Sequence, residues 1–143
     1  MIMSERIDQF CENLRMKLTS LDKNMQQLKA AIDSKAQTAE QEVRTRLDAV
    51  KNRIAQDRTK LETAQADMKK RVEDFKLASN EKIAEWKAKR EKAKLRSRSD
   101  NADGYAVAAT VVALAAVDAA EQAALEAWLA RKDAETADET KAA

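Results

Sequence analysis

The chain has 143 residues with one Gly, no Pro, no His, 36% charged residues and 3% aromatics. That profile excludes a compact mixed domain, which needs turns and more large apolar residues, and points to a coiled coil or helical bundle. The net charge of +2 argues against a dedicated polyanion binder, and the charge is unevenly placed: residues 1–99 carry 24 Lys plus Arg against 16 Asp plus Glu, whereas residues 100–143 carry 3 against 9.

The first 96 residues hold a single apolar stripe running from Ile7, Phe10 and Leu14 through Leu28, Ile32, Val43, Leu47, Val50 and Ile54 to Ile83 and Trp86. Its mean step of about 3.6 residues is that of a straight α-helix. Acid-first pairs four residues apart, such as Glu40 with Arg44 and Glu85 with Lys89, support an exposed helical face. One long amphipathic charged helix is therefore expected over 1–96. Asp33-Ser34 and Ser79-Asn80 mark where a bend would fall.

The segment Ser97-Arg-Ser-Asp-Asn-Ala-Asp-Gly104 is rich in capping side chains and holds the sole glycine, so it is expected to form a hinge over 97–104. A second helix follows over 105–137, with a disordered tail over 138–143. Folded back antiparallel, a helix of about 50 Å would cover only part of one of roughly 140 Å. The rest of the stripe then needs a partner, because an amphipathic helix in water is not held by propensity alone.

Alanine occupies every a and d position of a heptad from Ala106 through Ala109, Ala113, Ala116, Ala120, Ala123, Ala127 and Ala130 to Ala134 and Ala137. Such a face permits close approach of another helix. Val107, Val111, Leu114 and Trp128 lie off that seam and extend the expected assembly interface. Opposite net charges of the two segments would set antiparallel register.

The stretch Ala102–Ala134, with Ala-Ala-Val-Asp-Ala-Ala-Glu at 115–121 and Leu-Glu-Ala-Trp-Leu-Ala-Arg at 125–131, resembles the C-terminal region of bacterial coiled-coil proteins in which a long charged helix precedes a similar alanine pattern. The resemblance covers about a quarter of the chain and implies an architecture but no activity. A looser similarity to phasins, the helical coat proteins of storage granules, rests on composition.

No Gly-rich phosphate loop and no Ser/His/Asp set exists, so the expectation is a non-enzyme without cofactor or small-molecule substrate. Asp118 and Glu121 stand three apart on the alanine helix. Without His the helical Glu-x-x-His di-metal motif cannot be built, and ion pairing that fixes register is the favoured role over a metal site. Cys11 has no His to activate it and is expected to be buried or to pair with another chain. Between Lys82 and Arg98 lie eight basic residues against Glu85 and Glu91, with Trp86 among them. Lys87, Lys89, Arg90 and Lys92 there could meet phosphates or anionic headgroups, although a solvated face is the plainer reading.

The longest uncharged run, 105–117, falls short of the roughly 20 residues of a membrane span, and early charges at Glu5 and Arg6 disfavour a signal peptide. The sequence thus leads to an all-α fold in which a long helix precedes a shorter alanine-rich helix in a hairpin or coiled coil that self-associates. The expected function is that of a cytoplasmic structural protein forming a homo-oligomeric bundle, rod or filament. An amphipathic coat on a lipid or polymer surface is the alternative. Nucleic-acid compaction through 82–98 ranks third.

Overall fold

A computed structural model describes residues 5–34 and 37–142, with side chains through Asp138. Four helices follow in order: α1 (Glu5–Asp33), α2 (Ala39–Lys76), α3 (Asn80–Ala88) and α4 (Lys92–Ala142). No strand occurs among the described residues.

The expected single helix over 1–96 is three helices, and its first two breaks fall at Asp33-Ser34 and just before Asn80. Ser34 turns its hydroxyl onto the Ala31 carbonyl (3.0 Å), which competes with helix continuation. Thr38 precedes α2, whose first turn carries Glu40 and Glu42, acids that favour a helix N-terminus.

At the second break Leu77 and Ala78 donate to the carbonyls of Asp74 and Phe75, tightening the end of α2. Ser79 then caps α3: its backbone is extended and its hydroxyl accepts from the Lys82 amide at 3.2 Å. The third break closes α3 on a Schellman motif. Glu91 donates its amide to the Trp86 carbonyl (2.9 Å), Arg90 donates to that of Lys87 (3.3 Å), and Arg90 takes the left-handed position at φ 53°. Glycine usually fills that position. A side chain there costs on the order of 1 kcal/mol.

The expected hinge over 97–104 lies inside α4, which continues unbroken to Ala142. Tertiary contact overrides the weak helix propensity of the segment: Asn101 donates to the Arg71 carbonyl and accepts from Arg71 Nη1, both at 3.3 Å. Gly104 is buried because the Arg71 guanidinium crosses the helix there, and a Cβ would lie 2.1 Å from Arg71 Cζ. The glycine marks a close approach in place of a hinge. The expected disordered tail is helical through Ala142, and Ala143 lies outside the described residues.

Contacts divide the chain into two units that share these helices. One comprises Met1–Arg15 and Thr59–Leu114, the other Met16–Arg58 and Ala115–Ala143. In the second unit, Leu28 of α1, Val43, Leu47 and Val50 of α2, and Leu125 and Leu129 of α4 form the apolar core, with Met25, Ile32, Ile54 and Trp128 packed against it. Burial of each such Leu or Val contributes about 1.5–3 kcal/mol. Three helices of one chain therefore cover the middle of the stripe, so this stretch needs no second copy to leave water.

Among the described residues of the first unit only small ones are buried, namely Ala64, Gly104, Ala108 and Thr110. The Thr110 hydroxyl donates to the Ala106 carbonyl at 2.8 Å. Phe75 and Tyr105 meet edge to face at 5.4 Å, a favoured aromatic geometry. Cys11, expected to be buried or to pair with another chain, is exposed.

Candidate functional site

Three features carry the chemistry of the chain: a buried charge cluster, the outward face of α4, and a basic groove beside α3. In the second unit, the apolar side of α4 is interrupted by Asp118 and Glu121, whose carboxyl side chains are only 5% and 1% exposed. Lys17 of α1 reaches Asp118 Oδ1 at 2.5 Å. Arg53 of α2 spans both acids, at 2.9 Å from Asp118 Oδ1 and 3.2 Å from Glu121 Oε2. Arg46 donates to Glu121 Oε1 at 2.6 Å.

Arg46 pairs with Glu121 and Arg53 with Asp118, so α2 and α4 run antiparallel in this unit. Two carboxylates facing three cations are fully ligated. Among the described residues no buried side-chain polar atom lacks a partner, and no three His, Cys, Asp or Glu side chains group as metal ligands. Such a cluster opposes slippage, because sliding one helix past the other would strand buried charge.

The alanine heptad is not the surface that α4 turns to α2. Ala113, Ala116, Ala120, Ala123, Ala127 and Ala130 are exposed, while Ala106 and Ala109 are half-buried. Leu125, Leu129, Asp118 and Glu121 make the face that packs within the second unit, and the alanines lie off it. Every fully exposed position of α4 between Ala102 and Ala124 is an alanine except Val107. In a chain with 36% charged residues, the exposed positions along roughly 33 Å of helix are therefore uncharged, with Asp103 half-buried beside them.

Of the other expected interface residues, Trp128 packs against the core of the second unit. Val107, Val111 and Leu114 line an open groove of about 700 Å³ in the first unit, with Phe10, Arg6 and Arg71. Contrary to the expectation drawn from the uncharged run, α4 holds one stretch long and apolar enough to cross a membrane by length and composition, with mean hydropathy 1.4 and 22% of that window buried.

The basic segment separates into two sets. Lys89 donates to Glu85 at 2.8 Å, an exposed pair that lowers the Glu85 pKa and raises that of Lys89 through their hydrogen bond and charge. Arg90 holds the left-handed turn, Lys92 opens α4, and Lys87 is exposed. None of the four lines the hollow that holds Trp86. The cations that do are Lys82, Lys94 and Arg98, around a hollow of about 540 Å³ floored by Phe75, Leu77, Ala78 and Trp86. The left-handed turn at Arg90 interrupts the helix that the basic run was expected to share, and so brings Lys82, Lys94 and Arg98 to Trp86.

No protein-family model, curated protein or solved structure matches the chain.

Proposed function

We propose that the chain is a non-catalytic structural protein of the bacterial cytoplasm, which self-associates through the outward face of α4. The uncharged run of exposed alanines from Ala102 to Ala124 supports this reading most. Alanine admits a second helix backbone at short range, and large patches without charge mark contact surfaces. The charge cluster at Asp118 and Glu121 would hold α4 in one register within the second unit, with Ala116, Ala120, Ala123 and Ala124 left exposed.

Sedimentation velocity over a wide concentration range tests this. Association is expected, and Ala116→Leu with Ala120→Leu should weaken it at least tenfold without changing helix content, since both positions are exposed. A chain that stays monomeric at every concentration would refute the reading. Negative-stain microscopy then separates filaments from closed rods.

The second reading is a coat on a lipid or polymer surface, favoured by the apolar stretch of α4. Flotation with anionic vesicles in place of self-association would establish it.

A further inference from the structure

We infer that the groove between the end of α2, α3 and the start of α4 is a binding site for an anionic amphiphile, a carboxylate or phosphate head on a single acyl chain. It lies wholly within the first unit and does not depend on self-association.

The argument begins with the turn that builds it. Trp86 and Lys94 are eight residues apart, about 12 Å along an unbroken helix. The left-handed Arg90 folds the chain so that Lys94 Nζ lies 6.0 Å over the Trp86 ring, at the limit of a cation–π contact. The same fold leaves an apolar hollow of about 540 Å³, within the usual range for one small ligand. Leu77 in its wall is 66% exposed, more than any other described large apolar side chain.

Charge selects the occupant. Lys82, Lys94 and Arg98 line the hollow against the single carboxylate of Asp74. Lys94 is shared with Glu91 at 3.4 Å and, with Lys82, lies near enough to Glu85 to help lower its pKa, but neither Lys82 nor Arg98 is within ion-pair distance of a carboxylate among the described residues. Two unpaired cations beside uncovered Leu77 match a ligand that is anionic at one end and apolar at the other. A nucleic-acid strand fits less well, because Lys87, Lys89, Arg90 and Lys92, which would extend a phosphate track, do not line the hollow.

The test uses the full chain carrying Trp128→Phe, so that Trp86 is the only fluorophore of its type, titrated with dodecanoate below its micellar concentration. A saturable change in Trp86 emission is expected, at least tenfold weaker for monomeric dodecyl maltoside, whose head is neutral. Lys82→Glu with Arg98→Glu, and separately Leu77→Asp, should each weaken dodecanoate binding at least tenfold with the far-ultraviolet dichroism unchanged, since all three side chains are exposed. Equal binding of the neutral amphiphile, no saturable response, or variants that bind like the parent would overturn the assignment. So would a response confined to phosphatidylglycerol vesicles or to a single-stranded oligonucleotide, which would make the surface a membrane or nucleic-acid contact. Sedimentation of the same samples shows separately whether self-association holds.

Discussion

The two units use the same material, long charged helices with one apolar face, yet they close differently. The second buries Leu28, Val43, Leu47, Val50, Leu125 and Leu129 and ties the two acids of α4 to three cations of α1 and α2. Among its described residues the first buries only Ala64, Gly104, Ala108 and Thr110, leaving Phe10, Val111 and Leu114 to line an open groove. Small buried residues let helices approach at chosen points but remove little apolar surface from water. Stability is thus concentrated in the second unit, and concave surface in the first.

Truncating one apolar residue in each unit breaks this contrast most directly. Leu125, at 3% exposure, should cost about 2–5 kcal/mol when changed to Ala, through lost burial and the cavity left behind. Val107, at 40% exposure, should cost less than about 1 kcal/mol when changed to Ala, as surface substitutions do. Urea unfolding followed by circular dichroism measures both. Equal costs would mean that the first unit is as tightly packed as the second.

A charge comparison comes next in size. Arg53→Met removes the side chain that spans Asp118 and Glu121, leaving each acid one cation in a buried setting, at an expected cost of about 2 kcal/mol. Arg71→Met in the first unit removes a pair with Asp67, whose side chain is 36% exposed, so less than about 1 kcal/mol is expected. High salt should erase much of the Arg71 effect and little of the Arg53 effect, because buried pairs are poorly screened. If both variants respond to salt alike, the cluster is more open to water than its burial implies.

How much of this was legible in the sequence follows from what periodicity can carry. The all-helical class and the weak points at Asp33-Ser34 and Ser79-Asn80 were readable, because apolar spacing and capping chemistry act locally. The packing of α1 beside α2, with Lys17 and Arg53 both reaching Asp118, was not. Without a glycine or proline between them, a stripe at a step of about 3.6 reads the same on one helix as on two that fold together. That the alanine heptad faces away from the core of the second unit was not readable for a related reason. Regular spacing names a face, but which face meets the core depends on where Leu125 and Leu129 lie relative to it, and those two positions outweigh a row of single methyl groups in burial energy. Asp118 and Glu121 were readable as carboxylates on an apolar line, whereas Lys17, Arg46 and Arg53 carried no mark among 27 basic residues.

Gly104 gives the smallest and sharpest test, because it was read as a hinge and lies instead within a helix. Glycine inside a helix is less stable than alanine by about 0.5–1 kcal/mol, so Gly104→Ala should stabilise the chain unless something occupies the space. Arg71 does: its Cζ lies 2.1 Å from the Cβ that alanine would add. The guanidinium is the far end of a flexible side chain and can swing aside, keeping its 2.7 Å bond to Asp67 while losing the one to Asn101. The helix gain and that loss are similar in size, and Gly104→Ala alone should change stability by less than about 0.5 kcal/mol. In an Arg71→Ala background the obstacle is gone, and the same substitution should stabilise by the full helix term of about 0.5–1 kcal/mol. The difference between the two backgrounds is the coupling of Gly104 to Arg71. A substitution that stabilises equally in both would show that the guanidinium yields without loss, and the close approach would no longer account for the glycine.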